Sequence, residues 1–159
     1  MRLTLQTDYA LRMLMYLAVH RNRPCRVTDV ATDYGISRNH LLKVALKLGR
    51  LGYLTTARGR TGGIALARRP EEINLGEVVR HMEDGFDLTE CMRQGGHCAI
   101  TPGCRLKSVV GRALEAFLGV FDSFTLADLI GNRAELLGLL ELNRKSGKAI
   151  SPDTAPGGE

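Results

Sequence analysis

Three cysteines, Cys91, Cys98 and Cys104, fall within 14 residues of a 159-residue chain. Thiols grouped in this way hold metals or carry out redox chemistry. They are separated by six and five residues, wider than the roughly 2–4 residues usual between paired zinc ligands. Wider spacing on a loop suits a larger object, such as an iron–sulfur cluster held by thiolates. Zinc, or three redox thiols without metal, stays open on spacing alone. Glycines 95, 96 and 103 let the segment wrap around what it holds. Three thiolates leave a four-iron cube one ligand short. The fourth would come from elsewhere in the chain, a partner subunit, solvent or a small molecule. His97 lies inside the segment, while Asp8 is distant and has an ordinary role at the positive end of a helix. Cys25 stands far upstream and reads as a packing residue or an incidental thiol.

The elements around the cysteines follow from periodicity. Residues 75–83 form a helix capped by Asn74, and 105–122 form the longest helix, with an apolar stripe from Leu106 to Phe121. Residues 84–104 lie between them as a loop, and structureless loops of this length are usually functional. Thr125 caps a short further helix, residues 134–142 add another turn or two, and 143–159 read as a disordered tail. The wide stripe on 105–122 reads as intramolecular core or as a dimer seam, and the two-fold dimers usual among winged-helix readers favour the seam.

Upstream, residues 7–20 form a helix capped by Thr7. Residues 28–34 form a second, capped by Thr28, and Gly35 supplies the turn into a third that opens at Ser37 and closes at Gly52. Two short helices around a glycine turn make a helix-turn-helix. YLTTA and IALA then form a hairpin whose tip carries Arg58 and Arg60. The fold class is therefore mainly α: a winged helix-turn-helix over 1–83, the cysteine loop over 84–104, and dimerisation helices over 105–142. In such a unit the start of the second helix of the pair reads the major groove. Arg38 and Asn39 suit guanine and adenine, and His40 stands beside them. Lys43 and Lys47 are expected on phosphates, with Arg58 and Arg60 on the wing reaching backbone or minor groove.

Charge supports this division. Residues 1–69 hold 13 Lys and Arg against 3 Asp and Glu, whereas residues 70–159 hold 9 against 14. A net of +10 followed by −5 points to a polyanionic partner for the first part only. Arg2, Asp8 and Arg12 interrupt the first 20 residues, so no signal peptide is expected. No stretch approaches the ~18 apolar residues of a membrane span. The expectation is a cytoplasmic protein with no membrane partner. Nothing in the sequence looks like a substrate pocket or flavin motif, which argues against an enzyme or electron carrier.

The segments MRLTLQTDYALRML, SRNHLLKV, RGRTGGIAL, INLGEVVR and the cysteine loop running into CRLK resemble the Rrf2 family of bacterial transcription regulators, over residues 1–142. TDYALR, SRNH and CAITPGCRLK are most similar to its nitric-oxide-sensing branch. The resemblance implies a homodimer that binds a two-fold DNA operator and represses genes while a [4Fe–4S] cluster is intact, with [2Fe–2S] the alternative. It implies Cys91, Cys98 and Cys104 as ligands, and as the fourth the aspartate at the start of the first helix, here Asp8, given by the other subunit. RMLMY and the ECM loop entry are shared with the family's iron-responsive branch, the alternative reading of the signal. General cluster-sensing regulators place a histidine shortly after the third cysteine, where this chain has Arg105, Leu106 and Lys107.

Overall fold

Thr4, in extended backbone, begins the first helix: its Oγ1 accepts from the Thr7 amide at 3.3 Å. Helix α1 therefore runs Leu5–Val19, starting before the expected position. Thr7 is not the cap but a fully buried residue in the first turn. The computed structural model describes residues 2–21, 23–57, 59, 62–93, 95–96 and 98–146. Helix α1 is the central element of the core, with Ala10, Met13, Leu14 and Ala18 at 0% exposure. Burying side chains the size of Met13 and Leu14 contributes about 1.5–3 kcal/mol each.

Helix α2 spans Val27–Tyr34; the expected cap, Thr28, lies inside its first turn, and the Asp29 carboxylate accepts from the Arg26 amide at its start. It ends at Gly35, whose φ of 66° is left-handed backbone that favours glycine. Helix α3, Arg38–Arg50, then buries Leu41, Val44 and Leu48 and turns its other face outward. Strands β1 (Leu54–Ala57) and β2 (Gly63–Leu66) pair antiparallel from Leu54 opposite Leu66 to Ala57 opposite Gly63. Cys25 adds a backbone bridge to Ile64 and is 4% exposed, the packing role expected of it. Three helices followed by this hairpin form the expected winged helix.

Helix α4, Leu75–Met82, is capped by Asn74, whose Oδ1 accepts from the Glu77 amide at 3.1 Å. After the cysteine segment come α5 (Leu106–Asp122), α6 (Leu126–Leu129) and α7 (Arg133–Ser146). The segment itself carries 3-10 turns at Glu90–Met92 and Thr101–Gly103. Helix α7 continues four residues into the stretch expected to be disordered. Asn143 and Arg144 hydrogen-bond to Asp33 there, which holds the last turn in place. Residues 147–159 of that expected tail lie outside the described residues. Among the described residues no helix is long and apolar enough to cross a membrane.

Candidate nucleic-acid interface and cysteine site

The first turn of α3 presents Arg38, Asn39 and His40, all exposed, and Lys43 follows one turn later. Their shared direction comes from the opposite stripe: Leu41, Val44 and Leu48 lock the helix against α1, leaving this face outward. Between the start of α1 and α3 lies a cleft of about 220 Å³ lined by Leu5, Gln6, Tyr9, His40, Lys43 and Val44. The rings of Tyr9 and His40 stack with centroids 6.2 Å apart. Gln6 and Tyr9 therefore stand beside the expected base readers. The helical pattern of α1 marks neither, because their placement depends on how α1 crosses α3. Arg58 and Arg60 lie outside the described residues.

Lys47 stands apart from this group. Its ammonium donates to the Met82 carbonyl at 3.0 Å and meets Asp84 at 3.5 Å. Glu83, between those two, accepts from the Thr4 amide at 2.8 Å, from the Thr4 hydroxyl at 3.1 Å and from the Thr7 hydroxyl. The root of the cysteine segment thus bonds both to the start of α1 and to α3. These pairs join residues 35 to 79 positions apart, so sequence spacing carries no signal for them.

The cysteines sit along the segment that grows from this root. Cys91 and Cys104 are half-buried, Cys98 is exposed, and none is in a disulfide. The Thr89 hydroxyl lies 3.2 Å from Cys91 Sγ. At Gly96 a Cβ would overlap the Glu90 carbonyl oxygen, so the turn behind Cys91 closes only with glycine. Among the described residues no three His, Cys, Asp or Glu side chains converge as a metal site; His97 lies outside them. The donor chemistry does fit a thiolate-held group: three free, accessible thiols, with Cys91 close to a hydroxyl. Cys25 does not belong with them, since burial pushes its thiol pKa up and its backbone is tied to Ile64. Asp8 lies in the first turn of α1 and is ion-paired with Arg12 at 2.9 Å.

Beyond the cysteines, α5 is held at one end. Arg80 of α4 grips Asp122 through both carboxylate oxygens, and Asn74 Nδ2 donates to the Asp122 carbonyl at 2.8 Å. That hydrogen-bonded pairing holds the Asp122 carboxyl below its ordinary pKa. Leu118 is the one buried residue of the helix, whereas Leu106 and Val109 are 56% and 59% exposed.

A winged helix with a basic reading face places this chain among the winged-helix transcription regulators, and the comparisons narrow the class. A family model described as "Rrf2: Iron-dependent Transcriptional regulator" matches residues 3–132. The HTH-type transcriptional regulator NsrR of Bacillus licheniformis is 49% identical over 142 residues, covering 88% of this chain and 99% of that protein. The Bacillus subtilis protein of the same name is 47% identical over 144 residues, covering 89% and 99%. Among solved structures, T. potens IscR superposes with a TM-score of 0.69 at 26% identity, covering 86% of this chain and 90% of that one. CymR, the global cysteine regulator of B. subtilis, gives 0.66 at 23% identity over 81% and 95%, a likeness of fold alone. The chain belongs to the Rrf2 family of transcriptional regulators. Its relatives are regulators rather than enzymes.

Proposed function

We propose that this protein is a DNA-binding repressor, acting as a cytoplasmic homodimer on a two-fold operator, whose affinity is governed by a [4Fe–4S] cluster that responds to nitric oxide. Cys91, Cys98 and Cys104 would hold the cluster, with Asp8 of the partner subunit as the fourth ligand. When bound, the cluster supplies iron to which nitric oxide can coordinate. The observation that carries the reading is the double anchorage of the loop root: Glu83 on the start of α1, and Met82 with Asp84 on Lys47 of α3. A change in how the cysteine segment packs is thereby felt at the helix that presents Arg38, Asn39, His40 and Lys43. Arg58 and Arg60 would complete the DNA contacts from the wing. Only a modest differential is needed, since ~1–3 kcal/mol of coupling changes affinity roughly 5- to 150-fold.

The dimer reading rests on α5. Its first two turns bury no residue and present Leu106 and Val109 outward, an apolar face a second copy would cover. The resemblance of TDYALR, SRNH and CAITPGCRLK to the family's nitric-oxide-sensing branch supports the nitric oxide signal, and the three free thiols support a thiolate-held group. The family description "iron-dependent" favours a second reading, in which the same cysteines report iron supply; a general cluster sensor and a zinc-stabilised regulator are further outcomes of the test.

The test is native mass spectrometry of protein purified without oxygen, during stepwise nitric oxide addition, with DNA affinity followed in parallel. A dimer with two four-iron clusters that changes mass and releases DNA as nitric oxide is added is the expected result. Release on iron withdrawal but not with nitric oxide would favour the second reading, and a zinc-only dimer would remove the cluster. Asp8→Ala is expected to alter cluster stability or its response to nitric oxide. Unchanged spectra and response would reject Asp8 as a ligand.

A further inference from the structure

One buried acid lies outside both the α3 face and the cysteine segment. Asp33, in the last turn of α2, is 2% exposed, and a buried carboxylate is costly unless it is hydrogen-bonded and paired. Its oxygens accept from the Tyr16 hydroxyl at 2.8 Å, from Arg144 Nε at 2.6 Å and from Arg144 Nη2 at 2.7 Å. Burial works to raise its carboxyl pKa, but the Arg144 and Tyr16 hydrogen bonds outweigh it and hold the value below the ordinary one. Asn143 Nδ2 donates to the Asp33 backbone carbonyl at 2.7 Å, satisfying one of the carbonyls a helix end leaves unpaired. At the other end of α7, Arg133 Nε donates to the Val19 carbonyl at 2.7 Å, at the end of α1.

Helix α7 is therefore bonded to the ends of two helices of the winged unit, and its second grip lies two residues before the Gly35 turn into α3. Packing holds α7 through Leu140, which joins the core, with Leu136 and Leu137 against it, but it is not continuous along the helix. A cleft of about 330 Å³ opens between the helices, lined in part by Met15, Asp33, Tyr34, Leu136, Leu139 and Asn143. Where side chains leave such a gap, van der Waals contact defines the pose weakly, and directional polar contacts decide it. The helix also lies beyond residues 3–132, the stretch matched by the family model.

We propose that α7 is a strut that sets the pose of the helix-turn-helix, with Arg144 and Asn143 acting as positioning residues for operator binding through Asp33. The DNA arm of its test rests on the DNA-binding reading; the exchange arm does not. Arg144→Met removes the forked grip, Arg144→Lys keeps the charge without the fork, and Asn143→Ala is a milder change should Arg144→Met fold poorly.

Amide hydrogen exchange is measured first, on the full chain without DNA. The expected result is at least tenfold faster exchange in the last turn of α2 and at Gly35 in Arg144→Met, with α4 unchanged. Partial recovery is expected in Arg144→Lys. Binding is then measured on duplexes selected by the wild-type protein from a random-sequence pool, with bulk genomic DNA as the non-specific probe. Arg144→Met should lose about tenfold on selected duplexes and less than threefold on bulk DNA, and Asn143→Ala a smaller loss of the same kind. Wild-type exchange in α2, uniformly faster exchange across the chain, or undiminished specific affinity would each overturn the strut. Failure of the wild type to select any duplex would count against the DNA-binding reading, and exchange would then decide the strut alone.

Discussion

The winged unit and the cysteine segment with α5 are built on opposite terms. Helices α1 to α4 enclose a core in which Met13, Leu14, Leu41, Leu48, Tyr53 and Val78 are fully buried. The segment from Glu83 to the middle of α5 buries no residue among those described. Its thiols are free, and the leading half of α5 presents apolar side chains outward. The first region shares that core with Leu126, Ile130 and Leu140 from the chain beyond α5. The second is complete in its connections only, bonded at the root to α1 and α3 and at the far end to α4 through Arg80 and Asp122. Little packing of its own opposes rearrangement of such a region.

Replacing any one of Cys91, Cys98 or Cys104 by alanine should abolish iron retention and signal-dependent release of DNA. Thermal unfolding should remain close to wild type, read by calorimetry and metal analysis; a large fall in melting temperature would show that the segment supports the core after all. Leu48→Ala should cost about 2–5 kcal/mol in urea unfolding, as core truncations do. The same exchange at exposed Leu106 should stay within ~0.5 kcal/mol per folded monomer. Val109→Glu should weaken dimerisation by about 100-fold, ~2.7 kcal/mol, by sedimentation at graded concentrations without unfolding the monomer. A dimer of undiminished strength would place the seam elsewhere.

Smaller effects are expected on the reading face. Arg38→Ala should cost ~1–3 kcal/mol and relax preference at one base position, whereas Lys43→Ala should weaken all sequences alike and lower the salt slope by about 1. The smallest effect lies at acid pH. A carboxyl held below its ordinary pKa contributes stability above the unfolded value, and loses it as pH falls through the folded one. Stability of the wild type should decline below about pH 4, with a shallower slope in Arg144→Met, as chemical denaturation at stepped pH would show.

The helices, the Gly35 turn, the hairpin and the grouping of three cysteines on one loop were all legible in the residues. These depend on interactions among near neighbours: side-chain periodicity, left-handed backbone at glycine, capping by Asn74. Errors of local reading fell at helix ends: Thr4 rather than Thr7 supplies the cap of α1, Asp29 rather than Thr28 closes the start of α2, and α7 runs on to Ser146 through residues expected to be disordered. Such ends are decided by one hydrogen bond among several available. Lys47 shows the deeper limit. By sequence it is one more lysine on a basic helix, yet the fold commits it to Met82 and Asp84.

What the order of residues determined by itself is the inventory: a basic winged helix, a thiol-bearing loop and an apolar helix to follow it. What only the tertiary structure decided is which of these parts are tied together. Glu83 meets Thr4 across 79 positions and Arg144 meets Asp33 across 111. Contacts at that separation leave no periodic trace in the chain, because they exist only once the core around α1 has brought distant helix ends within hydrogen-bonding distance.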